Sequence, residues 1–183
     1  GEVGRRLRFE IAWPNPFASV VETAVGLEAR QNPDVRVDPA LPTAIMREES
    51  SFIEDIESWA GALGLMQLMP ATALDHDDDI SGEATPEVLK NAAPNVRVGV
   101  DHIHMLADRF DSHPVLMTAA YNAGGGAVSS WLDGNGEEIA LWVEDIPYDQ
   151  TRDYTKRVIG SYAAYQWLGG SRALDPAIAA PAK

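Results

Sequence analysis

The sequence contains no cysteine. Disulfides, thiolate metal sites and cysteine nucleophiles are therefore all excluded. That suits a bacterial envelope without demanding one, since cytosolic proteins also lack disulfides. Basic residues are scarce as well: 14 Lys and Arg stand against 28 Asp and Glu, a formal net charge of −14. A phosphate backbone requires a basic face, so no nucleic-acid partner is expected. No apolar run approaches the roughly 18 residues of a membrane span. No charged start followed by an apolar stretch marks a signal peptide, although a mature or trimmed chain would look the same. Internal repeats are absent, and so is any sustained two-residue alternation bounded by turn signals, which argues against a sheet. No P-loop or dinucleotide fingerprint occurs. The glycines of "AGGGAV" follow a helical stretch and lack a Lys-Ser/Thr after them.

What is present reads as one mainly α domain. At 183 residues, 45% of them hydrophobic, the chain can bury a full core. Residues 1–17, "GEVGRRLRFEIAWPNPF", carry two prolines and no clear helical period, and are expected to be an extended lead-in. Val20, Val21, Ala24, Val25 and Leu27 suggest a helix from Ala18 to about Ala29. Pro42 suits the first turn of a second helix carrying "TAIMREESS". "GLMQLMPATALDH" reads as a glycine-bounded loop entering a short helix, followed by an acidic loop, "DHDDDISGEATPE". Val96, Val100, Ile103, Ala107 and Phe110 share one face of a further helix. "HPVLMTAAYNAG" has Pro114 near a helix start and Gly124 past its end. A short helix at "EEIALWV" and a long one over residues 150–168 follow, giving one lobe of about eight short helices. Residues 170–183 are Ala/Pro-rich and expected to be a disordered tail.

Metal-site candidates are weak. His102 and His104 are two apart, so on a helix they point about 200° away from each other. "DHDDDI" begins like a calcium loop, but Ile80 stands where glycine is needed and Pro86 where glutamate is needed. No metal and no cofactor are expected. The adjacent Glu48 and Glu49 of "MREESSF" are more informative. With Ile45 at zero on a helical wheel, Glu49 falls near about +40° and Glu48 near about −60°, bordering the arc of Leu41 and Phe52. At least one carboxylate then lies against apolar surface, which prepares it to donate a proton near neutrality. A structural pair with Arg47 is the alternative, and geometry alone does not choose between the two glutamates.

The motifs that follow, "AIMREESSF", "SWAGALGLMQLMPATA", "AAYNAGGGAV", "WVEDIP" and "TRDYTKRV", closely resemble the catalytic domain of soluble lytic transglycosylases. These are lysozyme-like enzymes that cut bacterial peptidoglycan. The resemblance runs from about Pro42 to Tyr165 and marks residues 18–169 as a lysozyme-like catalytic domain. It implies that the catalytic acid is the glutamate immediately before a serine, Glu49, with Glu48 in a position often held by glutamine. It assigns substrate binding to Ser58, Gln67, Met69, Tyr121, Asn122, Glu144 and Tyr154. "AGGGAV" departs from relatives that carry proline or asparagine there, and the acidic run Asp77 to Asp79 is not a family hallmark.

The implied reaction is non-hydrolytic. Glu49 protonates the oxygen between N-acetylmuramic acid and N-acetylglucosamine, and the substrate's N-acetyl group stabilises the cationic centre. Glu49 then takes the proton of the C6 hydroxyl, which closes a 1,6-anhydro ring. Ser58 would orient the N-acetyl group, Gln67 and Asn122 the sugar hydroxyls, and Tyr121 and Glu144 would hold Glu49 in place. The implied partner is the glycan strand of peptidoglycan, met by a monomer in the bacterial envelope, in the periplasm. A lysozyme-type muramidase and a non-catalytic peptidoglycan-binding module are the competing readings.

Overall fold

The computed structural model describes residues 2–76, 85–132 and 138–170. Among them are ten α-helices: α1 (Glu2–Ala12), α2 (Ala18–Gln31), α3 (Ala40–Ser50), α4 (Pro70–Leu74) and α5 (Pro86–Leu89), then α6 (Ala92–Arg109), α7 (Pro114–Ala123), α8 (Gly125–Leu132), α9 (Ile139–Glu144) and α10 (Asp149–Leu168). The only extended pairing among the described residues is a pair of isolated antiparallel bridges, Glu57 with Leu63 and Leu63 with Leu68. The mainly α expectation therefore holds. The helices that periodicity did not give are α1, α5 and α8. Asp77 to Asp79 and residues 171–183 of the expected tail lie outside the described residues.

The chain forms two compact units, Asn15–Met105 and Gly1–Pro14 with Leu106–Lys183. In the first unit α3 buries Leu41, Ala44, Ile45 and Met46, while α6 buries Val96, Val100 and Ile103 on the face that the sequence pattern marked. The loop before α4 contributes Leu63, Leu65, Met66 and Leu68, all nearly inaccessible. Gly99 makes room for this loop on α6: a Cβ there would lie 2.3 Å from Met66 Sδ. The Arg97 guanidinium pairs with the buried carboxylate of Glu28, which ties α6 to α2.

The second unit corrects the expectation for residues 1–17. Residues 2–12 are helical, not extended. The two prolines that suggested an extended lead-in, Pro14 and Pro16, lie beyond the end of α1 and cannot interrupt it. Val3, Leu7 and Ile11 recur at a helical spacing of four, and tertiary contacts add to that local signal. Phe9 stacks on Trp13 at 5.0 Å and meets Trp167 of α10 at 4.9 Å. Arg6 donates to the carbonyl of Leu168 at 2.9 Å, and the Tyr165 hydroxyl donates to the carbonyl of Pro14 at 2.8 Å. A short helix that is marginal alone becomes stable when such a face is docked. The "AGGGAV" stretch also differs from a plain loop: Gly124 (φ +87°) ends α7, and α8 begins at the next residue. Gly125 packs against Arg109, whose guanidinium donates to Ser129 Oγ at 3.0 Å.

Candidate active site

Glu49 is the penultimate residue of α3, and both Glu48 and Glu49 are half-buried. The helix ends at once in two consecutive left-handed residues, Ser51 (φ 51°) and Phe52 (φ 66°). Such a conformation is unfavourable for non-glycine residues and persists only where the surroundings enforce it. Ser50 does much of that enforcing. Its buried hydroxyl donates to the carbonyl of Met46 at 2.9 Å and accepts from the Phe52 N–H at 3.1 Å. The Phe52 ring then meets Phe17 at 6.5 Å. The serine after Glu49, a mere marker in the sequence, thus fixes the backbone on which the glutamate stands.

Ser58 and Gln67 are brought into one hydrogen-bonded loop system. The Ser58 N–H donates to the Ala62 carbonyl, the Gly61 N–H to the Ser58 carbonyl, and the Ala62 N–H to Ser58 Oγ, each at 2.9 Å. The Ser58 hydroxyl accepts within its own turn and keeps its proton for another acceptor. Gln67 sits at φ 46°, and its amide nitrogen donates to the carbonyls of Gly64 at 3.0 Å and Ile56 at 3.4 Å. That leaves the amide oxygen as the group it offers a ligand. Met69 caps α4 in an extended conformation and is 43% exposed, unlike the buried Met66.

Asn95 is the loop anchor that sequence reasoning missed. It is fully buried on α6; its Oδ1 accepts from the Met66 N–H at 2.8 Å, and its Nδ2 donates to the carbonyls of Leu63 at 2.9 Å and Leu89 at 2.8 Å. One side chain therefore anchors the loop that carries Gln67. The available signal was an amide adjoining the apolar stripe of "NVRVGV". Such a buried amide is expensive unless every bond is made.

In the second unit Tyr121 and Asn122 occupy the last turn of α7, both half-buried. The Thr151 hydroxyl donates to Asn122 Oδ1 at 2.8 Å, which orients the amide and leaves its N–H groups as the donors. Thr151 had no place in the sequence reading. Tyr154 is buried on α10. Glu144, at the end of α9, is exposed, and its carboxylate pairs with Lys156 at 2.7 Å.

The histidines resolve differently from one another. His76 Nδ1 pairs with the Asp101 carboxylate, and His76 Nε2 lies 3.2 Å from His102 Nδ1. His104 is buried. Among the described residues no group of three or more His, Asp or Glu is arranged to hold a metal ion. Burial first, and the neighbouring His76 second, push the His102 imidazole down to about 4, against smaller upward pulls from Asp101 and Asp75. The folded value lies below the ordinary one of about 6.5, so unfolding takes up a proton in this window. This contribution to stability is full above about pH 6.5 and is lost as pH falls towards 4. Melting curves of wild type and His102→Gln should therefore converge as pH is lowered from 7.5 to 4.5. A difference in Tm that is flat across this range would refute the assignment.

Three comparisons bear on these residues. Residues 28–141 match the Transglycosylase SLT domain. That range includes Glu49, Ser58, Gln67, Met69, Tyr121 and Asn122, and stops short of Glu144 and Tyr154. The soluble lytic murein transglycosylase of Escherichia coli K12 is 35% identical over 133 residues, which are 70% of this chain and 21% of that protein. The crystal structure of the 70 kDa soluble lytic transglycosylase from Escherichia coli superposes with a TM-score of 0.79 at 28% identity, over 94% of this chain and 27% of that one. An inactive glutamate-to-glutamine mutant of lytic transglycosylase Slt from Pseudomonas aeruginosa gives 0.79 at 29% identity, over 93% of this chain and 26% of that one. The chain thus spans between a fifth and about a quarter of the length of these relatives. With more than half of its residues inside the matched domain, it belongs to the transglycosylase SLT domain family.

Proposed function

We propose that this domain is a peptidoglycan lytic transglycosylase. It would cleave the β-1,4 bond between N-acetylmuramic acid and N-acetylglucosamine without water, leaving a 1,6-anhydromuramoyl end. The observation that carries the reading is Glu49: a half-buried carboxylate at a helix end locked by Ser50 and two left-handed residues, inside the matched family domain. A group that serves first as acid and then as base needs a fixed position and partial exclusion of water.

In this reading Glu49 protonates the bridging oxygen as the C1–O bond breaks, and the substrate's own N-acetyl oxygen carries the positive charge at C1. Glu49, now a carboxylate, takes the proton from the C6 hydroxyl as that oxygen bonds to C1. The glutamate ends as it began, and no water is consumed. Ser58, with its proton unused in the loop, suits donation to the N-acetyl carbonyl. Gln67 offers an acceptor and Asn122 donors to sugar hydroxyls. Met69 and Tyr121 complete the contacts that the family resemblance assigns. Tyr154, buried on α10, keeps in this reading the substrate-binding role that the family resemblance assigns to it. We read the acting unit as a monomer in the periplasm. Among the described residues no helix is long and apolar enough to cross a membrane.

Mass spectrometry of muropeptides released from purified sacculi tests the reaction: anhydro ends support it, and reducing ends assign a hydrolase. Glu144 separates the two further. Its exposed, Lys156-paired carboxylate has no chemical step in the lyase reading. Glu144→Gln should retain the anhydro product, since the ring-closing hydroxyl belongs to the substrate. If Glu144 instead delivered water, wild-type products would carry the mass of water and the variant would stop releasing them.

A further inference from the structure

Among the described residues Trp59 is the large apolar side chain left entirely in water, at 100% exposure. An indole so placed is fully available for contact with a ligand, and Trp is among the side chains on which binding energy concentrates. The backbone under it is closed. The three hydrogen bonds of the Ser58–Ala62 turn hold it, Gly61 adopts the left-handed φ of +84° that the turn requires, and Glu57 on the preceding side is bridged to Leu63 and ion-paired with Lys90. Trp59 therefore rides on a rigid tip, one residue after Ser58. Adjacent Cα atoms are only about 3.8 Å apart, so a sugar ring bound at the Ser58 hydroxyl has neighbouring rings within reach of an indole attached at the next residue.

Charge narrows the possible occupant. The chain carries −14, and glycan strands of peptidoglycan bear carboxylates, so Coulomb attraction does not bring the two together. Affinity has to come from uncharged contacts: hydrogen bonds to hydroxyl and amide groups, and apolar contact with the C–H faces of pyranose rings. A rigid, amphipathic aromatic supplies large contact area at small entropic cost. We infer that Trp59 is a sugar-binding platform: its indole face stacks on the pyranose ring next to the one whose N-acetyl group meets Ser58. This rests on the proposed role of Ser58.

The test uses iodide quenching of tryptophan fluorescence, with chitopentaose and peptide-free glycan strands as probes. Wild-type emission should become shielded from iodide when either probe is added, and Trp59→Ala should lose that shielding while keeping its Tm. With glycan strands as substrate, KM for Trp59→Ala should rise about tenfold with kcat changed less than about twofold, and Trp59→Tyr should recover most of the loss. Unchanged KM and shielding in Trp59→Ala would overturn the assignment. Shielding by stem-bearing muropeptides alone, with none from either peptide-free probe, would also overturn it, assigning the indole to peptide. Shielding by chitopentaose in a wild-type protein that releases no product would uphold the platform and refute the proposed reaction.

Discussion

Glu49→Gln is expected to reduce turnover of peptidoglycan sacculi by at least about 10⁴-fold, because in the proposed mechanism one group performs both proton transfers and the amide performs neither. The substitution preserves size and shape, so Tm and glycan binding should stay close to wild type. Glu48→Gln is the control. That residue is also half-buried and one position earlier on the same helix, yet it has no step in the proposed reaction. It should retain activity within a few-fold of wild type. Turbidity clearing of sacculi reads both variants. An inactive Glu48 variant beside an active Glu49 variant would reverse the assignment and with it the meaning given to Ser50.

The second large effect is expected at Gly64. Its φ is +73°, and a Cβ there would lie 2.3 Å from both Asn95 Nδ2 and the backbone carbonyl of Leu89. A flexible side chain could yield, but a helix-end carbonyl and a triply bonded amide cannot move far without breaking buried hydrogen bonds. Gly64→Ala should destabilise the protein by about 3 kcal/mol or more through the clash and the left-handed strain together. That corresponds to a fall in Tm on the order of 10 °C for a chain of this size. Turnover should drop as well, because the displaced loop carries Gln67. Gly126→Ala provides the contrast: it lies in α8 with ordinary φ and nothing within 4 Å, so Tm should hold or rise slightly. A Gly64→Ala protein that melts with wild type would show that the loop is not clamped on Asn95.

Much of the molecule was legible from the sequence because the signals were local. The apolar stripe of α6, and Pro114 and Gly124 bounding α7, act within one or two turns, where periodicity and backbone chemistry decide. The motif order was legible for the same reason and identified the family. The choice of Glu49 over Glu48 came from that resemblance, since both residues border the apolar arc and both are half-buried.

The tertiary structure decided whatever depended on partners distant in the chain. Residues 2–12 carry Val3, Leu7 and Ile11 at a helical spacing that the two prolines beyond them obscured, and the helix docks against Trp167 and Leu168, more than 150 positions away. Asn95 takes its role only from the carbonyls of Leu63 and Leu89 and the N–H of Met66, which folding brings around it. Thr151 meets Asn122 only because α10 packs on α7. Sequence fixes which groups a chain can offer, since composition and local propensity are properties of neighbours. Which of those groups become donors, anchors or buried bases is settled only when folding excludes water and leaves each polar atom to find a partner.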